Sequence, residues 1–480
     1  DSLESLVYAM RATLSPEVSD SERKAATAAI REYQSQPECF MGFVSVVSNA
    51  EDEALRMQAA VLLLQSMSHW TNLGQDDKNS AKDALLNALF SDPMPLVRRN
   101  LGVAVAVTAR RELTTGGWDA FLPIMHQAAE SDEPRAREVA FSVFKRLVRF
   151  FGLNEPAFFS QLAPLWVNAL TDAGSNEVRI DAFASLAAMT AYFEEEGDFA
   201  SFEPIFPQML QTVVTFVEAN DESKAVVALG VLEDMLQITP TFVATLWPQL
   251  VQFNVQLIQA GKEDITKRAL SSLAKYVELK PMLLLKHELV SDVFNAAFTC
   301  IAEEETDIDE GNSIPSNAQT LVDTICLRIG PSHTFPLCME AASQYLADSV
   351  TSPHTIRGGL MILAMSAEGC QAYMREELET LMNAMMPHLS SSAPLVRDAA
   401  LMVLYQFAEH MRPNIHDYHR IVIAGSLDGL SEDLLSSRMN AARALNSFVV
   451  FLENEVLAEY LENIMSGYVG TIVGEPESLE

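Results

Sequence analysis

The sequence predicts an all-α protein built as a solenoid of helical hairpins, and three periodic features predict it. The repeating unit is clearest at 389–411, LSSSAPLVRDAALMVLYQFAEHM. Ser391 or Ser392 is placed to cap a helix, and Pro394 suits its first turn. Val396, Ala400, Val403, Leu404 and Phe407 then recur at helical spacing to make one apolar face. Just before it, Leu378, Leu381, Ala384, Met385 and Leu389 mark another amphipathic helix. Only a few small residues join the two, so they pack antiparallel and bury faces that neither could bury alone.

The second feature is a ladder of cations. The place of Arg397 recurs as Arg23, Arg56, Arg98, Arg137, Arg179, Lys224, Arg268, Arg357 and Arg438. Steps from Arg56 onward are 42, 39, 42, 45 and 44, then 89 (two periods), 40 and 41. The third is a set of prolines, Pro123, Pro164, Pro207 and Pro248, with Pro336 two periods on, each expected inside the first helix of its hairpin, where it would introduce a kink. Helix pairs repeating every ~40 to 47 residues are the mark of HEAT or armadillo solenoids, and the kinked first helix with a cation after a Ser/Asp/Pro turn resembles HEAT. The expected form is a right-handed superhelix of eleven full hairpins and a partial twelfth.

Composition agrees. Hydrophobic residues make up 49% of 480, much of it Ala, Leu, Met and Val, with few alternating runs. Lys and Arg total 32 against 65 Asp and Glu, a net charge of −33. Such a surface repels phosphate backbones and favours basic ligands, so no direct nucleic-acid binding is expected. Five scattered cysteines, Cys39, Cys300, Cys326, Cys338 and Cys370, form no CxxC pair and read as reduced core thiols. No apolar run reaches the ~18 residues of a membrane span, and no basic-then-apolar signal opens the chain. These features predict a cytosolic or nuclear protein without membrane insertion. A first residue of Asp1 and a last repeat that stops near Glu480 suggest part of a longer chain.

Taken in order, the chain opens with a short hairpin whose helices are expected at 3–14 and 20–33. The second helix of the second hairpin is expected over 51–70, EDEALRMQAAVLLLQSMSHW. Second helices of hairpins three to seven begin near Asp92, Asp132, Ser175, Asp221 and Asp264, each able to cap free amides. The first helices of hairpins five to seven are aromatic, with Phe158, Phe159 and Trp166, then Phe202 and Phe206, then Phe242 and Trp247. At helical spacing such a stripe is ordinarily core. The eighth hairpin spans two ladder steps and contains EEETDIDEGN, with Glu303, Glu304, Glu305, Asp307, Asp309 and Glu310 in a loop marked by Gly311 and Pro315. It lacks the EF-hand spacing, so calcium is not expected. Hairpins nine to eleven cover 333–453, and a twelfth begins at Glu455. Acids follow the ladder cations at Asp234, Glu278, Glu368 and Glu409, at offsets of 10, 10, 11 and 12 that drift too far to prove a common face. His410, His416 and His419 read as packing or surface groups, not metal ligands.

Arg56, Ala59, Ala60, Leu63, Leu64 and Trp70 resemble the amino-terminal domain of the importin-β (karyopherin-β) family, whose second repeat carries R-x-x-A-x-x-x-L ending in Trp. Gln65 departs from it, since many members carry Lys there. The 303–312 loop resembles the acidic loop of the family's eighth repeat. The chain is most similar to the amino-terminal portion of the importin-4 and importin-5 branch. On that likeness residues 1–110 form the amino-terminal repeats and 111–480 the fourth to the partial twelfth.

The resemblance implies a nuclear import receptor that shuttles between cytoplasm and nucleus as a monomer. It would hold basic cargo such as ribosomal proteins and histones, and nuclear localisation signals, on its concave inner face, where Asp234, Glu278, Glu368 and Glu409 are candidates. It would dock Phe-Gly nucleoporins between outer helices at Phe158, Phe159, Leu162, Phe202, Phe206 and Phe242. It would release cargo on binding GTP-loaded Ran, with the acidic loop as a contact. The alternative is a cytosolic HEAT scaffold, such as a phosphatase structural subunit or a coat adaptin. No cofactor, metal or enzymatic activity is expected, since GxxxxGK[ST], GxSxG and HExxH are all missing.

Overall fold

The computed structural model describes residues 2–154, 158–193, 196–238, 240–304 and 312–473. Two compact units divide the chain, Asp1–Thr239 and Pro240–Glu480. Among the described residues every regular element is helical, and none is long and apolar enough to cross a membrane. The helices pair into eleven hairpins followed by a lone helix, Asn454–Val473. Their second helices, numbered by hairpin, are α1 (Asp20–Gln34), α2 (Glu53–Gln65), α3 (Pro95–Leu113), α4 (Pro134–Asn154), α5 (Asn176–Met189) and α6 (Glu222–Ile238) in the first unit. In the second unit they are α7 (Glu263–Leu279), α8 (Ile314–Arg328), α9 (Pro353–Ser366), α10 (Pro394–His410) and α11 (Leu435–Val449).

Local chemistry accounts for the starts. Ser19 and Glu22 form a capping box on α1, Asp52 accepts from the Ala54 amide on α2, and Ser175 accepts from Glu177 and Val178 on α5. On α10 the expected serine cap is replaced by Ala393 at the N-cap, with Ser391 Oγ taking the Ala393 amide at 3.3 Å from outside the helix. Pro394 stands at the first helical position as expected. Of the ladder prolines, Pro164, Pro248 and Pro336 lie inside their helices. Pro123 and Pro207 fall in the first turn instead, where the amide has no helical partner, so they kink nothing.

The second hairpin also corrects an expectation. Its second helix stops at Gln65 and a 3-10 turn, Met67–Asn72, follows. That break lets Trp70 swing into the core, edge-on to Phe40 at 5.5 Å, with Nε1 donating to Glu112 Oε1 at 2.9 Å. Lys82 Nζ sits 2.6 Å from the other Glu112 oxygen and donates to the Gly117 carbonyl at 2.7 Å, so the buried carboxylate is paired. Gln65 itself accepts from Gln34 Nε2 at 3.1 Å.

The cation ladder turns out to be a clamp. Arg56 Nη1 donates to the carbonyls of Ala50 and Glu51, and Arg98, Arg137 and Arg438 likewise reach the carbonyls six and five residues back. These are turn carbonyls that the helices leave without partners. The same cations face the following hairpin: Arg56 Nε to Asp92 at 2.7 Å, Arg137 Nε to Asp172 at 2.5 Å, and Arg397 Nε to Glu432 at 2.5 Å. In these three hairpins one cation thus both closes the turn before its own helix and ties it to the turn of the next hairpin.

Candidate functional site

In the first unit α2 packs on α3, α3 on α4, α4 on α5 and α5 on α6. In the second, α7, α8, α9, α10 and α11 pack in the same successive way. Each unit therefore presents one layer of second helices as a continuous surface.

The four acids singled out in the sequence lie on or just beyond second helices. Asp234 on α6 and Glu278 in the last turn of α7 are exposed. Glu368, two residues past α9, is exposed too. Glu409 in the last turn of α10 is half-buried and pairs with Arg412 at 3.4 Å. The second unit brings Glu368 together with a carboxylate that the ladder did not predict, Asp323 on α8. Burial first, and then the Glu368 charge, push Asp323 up to about 6. Glu368 and Glu409 also both act on His410, whose pKa burial nevertheless lowers. Asp323 and Glu368 thus lie near one another, and Glu368 and Glu409 near His410, so that carboxylates from α8, the turn after α9 and α10 gather beside Arg375 and Arg412.

The expected Phe-Gly docking residues fare differently. Phe202 and Phe206 are fully buried, with Phe202 edge-on to Phe193 at 5.8 Å. Their rings serve the core of the sixth hairpin, and docking there would first have to part the helices. Leu162 is half-buried on the first helix of the fifth hairpin. The side chains of Phe158, Phe159 and Phe242 lie outside the described residues. So do Glu305, Asp307, Asp309 and Glu310 of the acidic loop, whose first members, Glu303 and Glu304, are exposed just beyond helix Val290–Ile301.

All five cysteines are buried free thiols. His416 lies edge-on to Phe448 at 5.4 Å and His419 Nδ1 is 3.0 Å from the Tyr460 hydroxyl. Among the described residues no group of three His, Cys, Asp or Glu could hold a metal ion.

Residues 93–253 match a family model described as IPO5-like, TPR repeats. Mouse importin-4 is 24% identical over 451 residues, covering 88% of this chain and 41% of that protein. The chain spans about two fifths of the length of the curated relatives it matches. Among solved structures, Kap121p bound to RanGTP superposes with a TM-score of 0.82 at 18% identity, covering 100% of this chain and 47% of that one. Kap121p bound to Nup53p gives 0.81 at 17%, covering 100% and 48%. These likenesses establish the fold.

Proposed function

For a chain that belongs to the importin-β family, in its importin-4 and importin-5 branch, we propose the role of a nuclear transport receptor that binds basic cargo on its second-helix surface. The observation that carries this reading is the gathering of Asp323, Glu368 and Glu409, on α8, just past α9 and on α10, in a chain whose net charge is −33. Lysine-rich segments would neutralise carboxylates that otherwise repel one another, and the gain would be screened by salt. Glu278 adds an exposed carboxylate on α7 of the same unit, and Asp234 offers one on α6 of the first unit.

The remaining parts follow from the relatives. Kap121p has been seen with RanGTP and with Nup53p. By analogy this chain binds GTP-loaded Ran, with the 303–310 carboxylates as one contact, and releases cargo in response. It docks Phe-Gly nucleoporins along grooves between first helices, with Leu162 as one wall. The receptor works as a monomer that shuttles between cytoplasm and nucleus, and no enzymatic step is part of the mechanism.

Binding of the purified chain to Ran loaded with GTP or with GDP tests the reading. A transport receptor retains the GTP form far more strongly. Equal retention of both, or of neither, would leave a scaffold of helical hairpins instead.

A further inference from the structure

Two neighbouring second helices run against the charge of the chain. Together α3 and α4 carry nine cations and only two acids, Glu112 and Glu138, a net +7 within a chain of −33. A groove of about 480 Å³ opens over α3, α4, α5 and α6 in the first unit. One wall of it holds Arg98, Arg99 and Arg146.

These three guanidiniums form no ion pair among the described residues. Arg98 uses Nη1 on the turn carbonyls of Asp92 and Pro93, and Arg146 uses Nη1 on Ser142 Oγ at 2.7 Å. Arg99 is exposed. Across from α3 and α4, Asp181 and Glu177 are paired with Lys145 and Lys224 at 2.9 Å each, while Glu138 on α4 accepts from Ser175 Oγ at 2.6 Å. Five cations and three acids line the groove, so positive charge remains in excess there. Burial lowers the pKa of Arg146, with Asp181 opposing it and Arg99 adding to it, and burial lowers that of Arg98, with Arg135 adding to the effect against Glu138 and Asp92. The lining also leaves two aliphatic side chains unusually open, Leu96 at 54% and Val227 at 53% exposure.

We propose that this groove docks a short acidic, partly apolar segment of a partner protein, with carboxylates on Arg98, Arg99 and Arg146 and apolar side chains on Leu96 and Val227. Charge complementarity selects the partner. A carboxylate ligand balances the excess of cations that Glu138, Glu177 and Asp181 leave in the lining. A nucleic acid fits less well, since a polyphosphate would also face Glu177, Asp181 and the acidic remainder of the chain, and would gain little from Leu96 or Val227. Recognition of basic cargo neither requires nor predicts this surface, so the inference stands or falls apart from the transport reading.

The test uses the whole chain and a fluorescein-labelled 12-residue peptide of Asp, Glu and two Leu, compared with the peptide in which every Asp and Glu is Asn or Gln. The acidic peptide should bind at least about tenfold more tightly at low salt and lose the advantage as salt rises. Arg99→Glu, at an exposed position, should remove most of that advantage, and Leu96→Ser should weaken binding severalfold. Arg110→Glu, an exposed change on α3 outside the groove with the same effect on net charge, should leave it nearly intact. Equal binding of the two peptides overturns the proposal. So does equal loss in Arg99→Glu and Arg110→Glu, which would reveal a diffuse field. A single-stranded oligonucleotide that binds more tightly than the peptide and is lost in Arg99→Glu would overturn it in favour of nucleic acid.

Discussion

Arg56 and Asp92 meet across 36 residues of sequence: Arg56 Nε donates to Asp92 Oδ2 at 2.7 Å, while the same guanidinium holds the carbonyls of Ala50 and Glu51. The Asp92 side chain is 3% exposed, so the pair is a buried one whose cation also satisfies a turn. Taking the guanidinium away leaves the buried carboxylate its Met94 amide but no counter-charge, and frees two turn carbonyls. Arg56→Ala is expected to lower stability by about 3–5 kcal/mol, as breaking a buried pair typically does. Arg56→Lys should restore only part, because one ammonium cannot span both the turn and the carboxylate. Urea unfolding of the three proteins measures this, and a loss under about 1 kcal/mol for Arg56→Ala would reduce the clamp to a surface contact.

A second expectation follows from the burial of Phe202 and Phe206. Phe206→Ala should cost about 3–5 kcal/mol through the cavity left behind. Thermal melts decide it. If the variant keeps the parent's stability but loses affinity for a Phe-Gly peptide, the ring is a docking group after all.

Asp323 sets a pH dependence. Its carboxyl titrates at about 6 in the fold against an ordinary 3.8, so between those values the folded chain keeps a proton that the unfolded chain has released. Stability from this group is therefore greatest below the ordinary value and falls as pH rises through about 6. Asp323→Asn should raise the melting temperature at pH 7.5 and change it little at pH 4. Lysine-rich peptides should bind the parent more tightly at pH 7.5 than at pH 5, a difference that Asp323→Asn should shrink. A melting temperature that responds equally at both pH values would contradict the assignment.

The acidic loop supplies a fourth. Changing Glu303, Glu304, Glu305, Asp307, Asp309 and Glu310 to Ala should leave the unfolding curve in place, since loop charge carries little packing energy. It should weaken the retention of GTP-loaded Ran. Calorimetry on parent and variant, with the unfolding curves as control, compares them directly, and identical affinities would remove the loop from the binding surface.

Much of this architecture was legible in the sequence, because helical spacing, the cation ladder and the turn residues are local signals. What escaped depends on contacts between hairpins. Trp70 reads as the end of a continuous helix, yet its partner Glu112 lies 42 residues away and draws it into a separate turn. An aromatic stripe looks the same whether it lines a groove or a core, and the burial of Phe202 and Phe206 is decided by their neighbours. Asp323 was hidden because the eighth hairpin lacks a ladder cation from which to count, although Glu368 and Glu409, counted from Arg357 and Arg397, do gather with it.

The proposed transport role rests on a single coupling, between a basic ligand on the second-helix surface and GTP-loaded Ran. Fluorescence anisotropy of a labelled lysine-rich peptide, prebound to the whole chain and titrated with Ran in either nucleotide state, reads that coupling directly. The GTP form should displace the peptide at concentrations where the GDP form leaves it bound, and neutralising the 303–310 carboxylates should move the displacement curve to higher Ran. A peptide that stays bound at saturating GTP-loaded Ran, or one released equally by both forms, would contradict it.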